Sequence, residues 1–285
     1  MKNTLLSIGH GYTARALARL LDPSEWHVIG TVRSTEHANK IAAQGAEPLI
    51  WPGADLSGAL QSATHLLTSV APNENGDPVL NALSEQTAAA PNLQWIGYLS
   101  TTAVYGDHQG GWVDETTPMA PTTRRGQLRA DAEAEWQEFA EKQSLSLHIF
   151  RLAGIYGPGR GPFSKVQSGT ARRIIKPNQV FSRIHVEDIA QALLGSINRP
   201  NAGAIYNVCD DLAAPPEDVI AYAAELLGLP IPPAENWDTA DMTTLARSFY
   251  SESKRVRNDQ IKSELGVTLK YPNYKSGLLE LLKTS

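Results

Sequence analysis

The chain has 285 residues, of which 42% are apolar and 19% charged, the balance of a globular protein and far from that of a disordered one. Its formal net charge of −5 argues against a sequence-independent grip on nucleic-acid phosphates, which needs a clustered positive surface. The single cysteine, Cys209, leaves no internal disulfide and no cysteine zinc set, the seven histidines lack metal-ligand spacing, and no stretch reaches the roughly 18 apolar residues of a membrane span. The expectation is a cytoplasmic protein with no nucleic-acid partner, no membrane partner and no metal.

Residues 4–8 are a short apolar run, the first expected strand. A helix follows over 13–21, with Ala14, Leu17 and Leu21 at helical spacing. Residues 27–32 are rich in β-branched side chains and read as the second strand. Ser34 stands where a hydroxyl can cap the next helix. The alternation continues with strand 48–51, helix 55–63, strand 65–70, helix 78–90, strand 93–100, helix 127–143 and strand 145–151. Strands alternating with helices predict an α/β fold with a doubly wound parallel sheet. The rhythm breaks at the Gly-Pro-Gly-Arg-Gly-Pro run of 157–162. A strand–helix stretch at 180–197 and a strand at 204–208 follow. The proline-richer remainder is mostly helical and reads as a smaller cap on the carboxyl ends of the sheet. The expected division is therefore 1–160 plus 180–208 for the nucleotide-binding domain and 161–179 plus 209–285 for the cap.

The first strand ends in Gly9-His10-Gly11-Tyr12-Thr13-Ala14, a G-x-G-x-x-A pattern. Gly9 suits the tight turn, Gly11 lets the backbone approach a pyrophosphate, and Ala14 lets the helix pack close to the strand. A tight turn that holds no ligand is the other reading. Arg33 ends the second strand, 22 residues beyond Gly11. An acid there would accept hydrogen bonds from the 2′-hydroxyl of NAD, whereas a guanidinium matches the 2′-phosphate of NADP. NADP is favoured over NAD on this ground. Arg33 stacking on adenine without choosing between them is the alternative.

Five further stretches carry a family resemblance. Leu99-Ser100-Thr101-Thr102-Ala103-Val104-Tyr105-Gly106 resembles the S-S-x-x-V-Y-G of the extended short-chain dehydrogenase/reductases, which include sugar-nucleotide epimerases and dehydratases. Val113-Asp114-Glu115-Thr116-Thr117-Pro118 is similar to their V-D-E-x-x-P, and Arg151 to Arg160 to their R-x-x-x-x-Y-G-P-G. Arg183-Ile184-His185-Val186-Glu187-Asp188-Ile189-Ala190 and Tyr206-Asn207-Val208-Cys209-Asp210 follow in the family's order. The resemblance implies a Rossmann-type sheet of seven strands and a C-terminal substrate subdomain. It also implies hydride transfer assisted by a Tyr and Lys in Y-x-x-x-K with a Ser or Thr, and Thr101 falls on the last of these.

The Tyr and Lys positions differ here. Arg125 stands at the Tyr position and Arg129 at the Lys position. A guanidinium keeps its proton at any working pH and cannot serve as the acid or base. The pattern resembles the atypical extended members, whose fold and cofactor turn persist without the pair. The strings Tyr250–Lys254 and Tyr271–Lys275 lie too late in the chain for the family's order, and the first reads as part of the cap. Tyr105 is the one nearby phenol for a proton role, although the family's V-Y-G tyrosine is mainly structural. His185 with Glu187 and Asp188 invites a general-base reading beside the plainer one of a polar helix start.

By this resemblance the cofactor contacts are Gly9, His10, Gly11, Tyr12, Thr13, Arg33, Ser34, Ser69, Val70, Ala71, Leu99, Arg129, Gly154 and Ile155. The catalytic group is Thr101, Tyr105, Arg125 and Arg129. The two arginines lie four residues apart on one helix face. They call for a counter-anion, either an anionic small-molecule substrate or an internal acid such as Asp131 or Glu133. The family also implies a homodimer through the 78–90 and 127–143 helices. The expected function is an NADP-binding, epimerase/dehydratase-like oxidoreductase. A non-catalytic NADP(H)-binding or sensing protein is the alternative.

Overall fold

The apolar runs of the first half of the chain pair as one sheet. In the computed structural model, which describes residues 2–84 and 90–283, they form β1 (Asn3–Ile8), β2 (Trp26–Val32), β3 (Glu47–Ile50), β4 (His65–Thr68) and β5 (Trp95–Thr101). The helices α1 (Tyr12–Ala18), α2 (Thr35–Ala42), α3 (Ser57–Ser62), α4 (Pro78–Ser84) and α5 (Arg124–Gln143) intervene or follow. Strands Leu147–Leu152 and Ile205–Val208 complete a seven-stranded sheet, in the spatial order Ile205–Val208, Leu147–Leu152, β5, β4, β1, β2, β3. The β1–β2, β2–β3, β1–β4 and β4–β5 pairs run parallel, with Leu6 opposite both Ile29 and Leu66. This is the expected Rossmann-type parallel sheet. Its order reverses between β1 and β4, the switch point beside which open α/β sheets bind ligands.

The strands read as unbroken apolar runs because both faces are covered. All of β4 and all of Leu147–Leu152 are buried. Leu6, Ile8, Leu66 and Ile96 pack with Leu56 at the start of α3 and Leu60 within it, Val79 and Leu83 of α4, and Trp136 and Ala140 of α5. The expected helix 78–90 is α4 over Pro78–Ser84, and residues 85–89 lie outside the described residues. Helix α5 begins three residues earlier than its apolar spacing suggests. Thr123 caps it, its hydroxyl accepting from the Gly126 N–H at 3.2 Å and its carbonyl from Gln127 at 2.9 Å.

The chain divides into two compact units. The first holds the chain as far as Thr101 with Leu128–Arg151 and Ile189–Tyr206; the second holds Thr102–Gln127, Leu152–Asp188 and the chain from Asn207. The second thus takes in residues 102–127, 152–160, 180–188 and 207–208, which the sequence reading puts with the nucleotide-binding region. Its helices include Phe163–Gln167, Pro216–Leu227, Thr244–Phe249 and Tyr274–Lys283. Three parallel pairs of short strands join them: Gly154–Tyr156 with Arg183–His185, Arg173–Ile175 with Ala234–Asn236, and Trp112–Val113 with Arg255–Val256. Strands of two or three residues leave no alternation to read. The core of this unit gathers Tyr156, Phe163, Ala223, Ala224, Tyr274 and Leu278. Gly277 is required there, since a Cβ would sit 2.1 Å from the Tyr156 hydroxyl.

Candidate functional site

In the first unit the β1–α1 turn is stitched on both sides. The Gly9 N–H donates to the Thr31 hydroxyl at 2.8 Å, the His10 N–H donates to the Thr31 carbonyl at 2.9 Å, and the Ser69 hydroxyl donates to the Gly9 carbonyl. Gly9 has φ +81°, and a Cβ on it would meet Ser69 Oγ at 2.8 Å and Val70 Cγ2 at 3.1 Å. Only glycine fits both the dihedral and the space. Gly11 is different. The nearest atom to a Cβ there is the Gly9 carbonyl oxygen at 3.7 Å, so the backbone is open on that side. Gly11 caps α1 with no side-chain hydrogen bond, and Thr13 and Ala14 are buried beneath it. Tyr12 opens α1, half-buried.

His10 is buried, its ring so close to Gly30 that a Cβ there would lie 2.7 Å from it. Burial, and then the nearby Arg15 cation, lower its pKa to about 4, so the imidazole is neutral and packs as a flat wedge on β2. Arg33, at the end of β2, is exposed and makes no hydrogen bond or ion pair among the described residues. Ser34 caps α2 as expected, accepting from the His37 N–H at 3.4 Å and meeting His37 Nδ1 at 2.8 Å. Thr31 is the contributor that sequence reasoning missed; its signal is a hydroxyl two residues before Arg33 in the β-branched end of β2.

Thr101 is the last residue of β5 and half-buried. Arg129 lies on α5 with its guanidinium donating to the Tyr98 hydroxyl at 3.0 Å and the Leu99 carbonyl at 2.8 Å. The expected acid partner Glu133 goes elsewhere: it is buried against Arg151 at 2.8 Å and accepts from the Ser100 hydroxyl. Val70 and Ala71 continue from the end of β4.

In the second unit Tyr105 is fully buried and donates its hydroxyl proton to Asn207 Oδ1 at 2.8 Å, while the Asn207 N–H donates to Glu115 at 2.8 Å. The V-Y-G, V-D-E and Y-N-V stretches therefore meet at one buried polar contact. Arg125 is exposed and stacks its guanidinium 4.8 Å over the Phe249 ring. Gly154 donates its N–H to the Ser182 carbonyl at 3.1 Å, and Ile155 pairs with Ile184. Lys254 is buried and donates to Glu252 at 2.7 Å and the Gly106 carbonyl at 2.6 Å. His185 accepts from the Glu187 N–H at 3.2 Å, and Asp188 accepts from the Lys270 and Tyr271 N–H groups at 2.7 and 3.0 Å. That stretch ties a helix start to the C-terminal segment. Among the described residues no group of three or more His, Cys, Asp or Glu could hold a metal ion, and no helix is long and apolar enough to cross a membrane.

Residues 8–209 match the model of the NAD dependent epimerase/dehydratase family. Protein YeeZ of Escherichia coli K12 is 30% identical over 93% of this chain and 95% of its own length. A solved structure of a functionally unknown conserved protein from Silicibacter pomeroyi is 63% identical, with a TM-score of 0.93 over 99% of both chains. UDP-glucuronic acid 4-epimerase from Bacillus cereus, solved with NAD, shares the fold at a TM-score of 0.77 over 99% of both chains with 15% identity. A family match across the turn, the buried Tyr105–Asn207 contact and the strand that follows places this chain in the NAD dependent epimerase/dehydratase family.

Proposed function

We propose that the protein is an NADP(H)-binding oxidoreductase-like member of this family that works without the family's Tyr–Lys pair and accepts a small anionic substrate. The observation that carries the cofactor choice is the exposed, unpartnered Arg33 guanidinium at the end of β2, on the same sheet edge as the open Gly11 backbone. The turn fits a dinucleotide, since Gly9 and Gly11 leave the backbone bare where a pyrophosphate needs close approach. The Bacillus cereus structure holds NAD, which supports a nicotinamide dinucleotide. Arg33 would hold a 2′-phosphate, Gly11 the pyrophosphate, and Arg129 would donate from its remaining N–H groups to ribose hydroxyls. When bound, the nicotinamide supplies the hydride. Thr101 is the hydroxyl that binds the substrate oxygen. The reading includes a homodimer and a cytoplasmic location, for which the single buried Cys209 suits a reducing compartment.

A second reading, a non-catalytic NADP(H) sensor, is favoured by one observation: the Tyr105 proton is committed to Asn207, so no phenol in that motif offers one to a substrate. Calorimetry with NADPH and NADH tests the cofactor choice, and equal affinities would sink it. NADPH oxidation followed by absorbance over a panel of carbonyl acids separates the readings: turnover lost in Thr101→Val means an enzyme, and binding without turnover means a sensor.

A further inference from the structure

Three cations of the second unit gather around Trp237 and Tyr250, and a fourth, Arg173, begins a strand that ends beside them. Lys176 Nζ lies 5.1 Å and the Arg247 guanidinium 4.8 Å from the Trp237 ring centre, and the Trp237 and Tyr250 rings are 5.2 Å apart. Arg183 stands over Phe181 at 5.9 Å, and that ring meets Tyr250 edge-on at 5.7 Å. Arg173 begins the strand Arg173–Ile175, whose last carbonyl accepts from the Trp237 N–H at 3.1 Å.

Among the described residues each of these cations donates its hydrogen bonds to backbone carbonyls alone. Arg173 donates to Pro232 at 3.0 Å, Lys176 to Tyr250, Arg183 to Phe181 at 2.8 Å and Ala214 at 3.0 Å, and Arg247 to Ala240 at 3.0 Å. Among the described residues none of the four forms an ion pair, whereas the neighbouring Arg172 is paired with Glu235. Arg173 Nε is buried without a partner. The Tyr250 hydroxyl donates to nothing among the described residues. Two acids stand near and neither neutralises the group. Glu217 feels Arg173 and Arg183, yet burial raises its pKa and its Oε2 accepts no hydrogen bond. Asp210, beside Arg183, is pushed up to about 8 by burial and is largely uncharged at neutral pH. A positive centre thus sits inside a chain of net charge −5, and unpaired, partly buried cations are costly unless an anion meets them.

We infer that Arg173, Lys176, Arg183 and Arg247, with the Tyr250 hydroxyl, form a binding site for a small carboxylate- or phosphate-bearing molecule that has no nucleobase. Guanidinium forks and an ammonium match either oxyanion. Trp237 already carries Lys176, Arg247 and Tyr250, and Tyr250 is flanked by Phe181, so the rings of the cluster are engaged by its own side chains rather than by a base. The site deepens the anionic-substrate part of the proposed function and rests on that reading for its biological meaning, but not for its occupancy.

The test is calorimetry on the full chain without cofactor, using glucose 6-phosphate, glucuronate, glucose and UDP-glucose. Glucose 6-phosphate or glucuronate is expected to bind, and which one binds better identifies phosphate or carboxylate as the preferred group. Glucose is expected not to bind, and the anion's affinity is expected to fall with added salt. Arg247→Gln and Lys176→Gln should each weaken the anion about tenfold or more at an unchanged thermal midpoint; Arg247 is exposed, so its variant folds even if the other does not. Equal binding of glucose, no binding of either anion, or an unchanged affinity in Arg247→Gln overturns the site. UDP-glucose binding more than tenfold tighter than glucose 6-phosphate overturns its base-free character. NADPH affinity is measured separately: its loss with anion binding kept fails the cofactor reading alone, and the reverse fails this site alone.

Discussion

The two units differ in how they treat their cations. In the first, Arg151 meets Glu133 at 2.8 Å, both side chains almost fully buried, and the Ser100 hydroxyl completes the carboxylate's hydrogen bonds. In the second, Arg173, Lys176, Arg183 and Arg247 donate to carbonyl oxygens and, among the described residues, to no carboxylate. Lys254 with Glu252 shows that the second unit can also pair a buried charge. The contrast teaches that a charge closed within the chain serves the fold, whereas a charge left to dipoles remains available to a ligand.

The sharpest way to probe the first unit is pH. His10, His65 and His148 there, like His185 in the second unit, are buried and neutral with pKa values near 4, against 6.5 when free. Between those values the unfolded chain binds protons that the fold refuses, so stability is full above about pH 6.5 and falls as pH drops toward 4. Each histidine contributes up to about 1.4 kcal/mol per pH unit, and urea midpoints at pH 7 and pH 5 should differ clearly. Equal midpoints would mean the imidazoles are hydrated in the fold. Next in size is Glu133→Gln, which leaves Arg151 charged and buried. It should destabilise by about 3–5 kcal/mol in urea unfolding, and a loss under about 1 kcal/mol would remove the distinction between closed and open charge.

Arg33→Ala should cost NADPH about 1.5–3 kcal/mol of affinity and NADH almost nothing, measured by calorimetry, with the thermal midpoint unchanged because Arg33 is exposed and makes no hydrogen bond or ion pair among the described residues. Asp210 has the opposite sign to the histidines. Its pKa is raised to about 8, so the fold keeps a proton that the unfolded chain releases, and stability falls as pH rises from about 4 to 8. Asp210→Asn should flatten that alkaline slope by up to about 1.4 kcal/mol per pH unit, read from urea unfolding between pH 6 and 9. The smallest effect is expected at Arg247→Gln, a change in stability under about 0.5 kcal/mol despite the loss of a charge. A larger loss would make Arg247 part of the fold's own scaffold.

Much of this was legible in the residues. The alternation of apolar runs with helical spacing predicts the sheet, because strands covered on both faces must be apolar throughout, as β4 is. The G-x-G turn is legible since only glycine accepts the φ of Gly9, and Ser34 is legible because a helix start needs a side-chain acceptor. The partners of Arg129 were not legible. Glu133, four residues on, is the obvious local choice, yet the fold gives it to Arg151 and turns Arg129 to Tyr98 and Leu99. The role of Tyr105 was open for the same reason, since Asn207 is 102 residues away.

By itself the sequence determined the local elements: which segments are strands, where turns demand glycine, and which cation ends β2. These follow from backbone sterics and the period of burial, which act over a few residues. The tertiary structure alone decided which charges are neutralised. An ion pair needs atoms within about 4 Å, and Arg151 acquires Glu133, while Arg173, Lys176, Arg183 and Arg247 find no such partner among the described residues, only once distant parts of the chain are packed together.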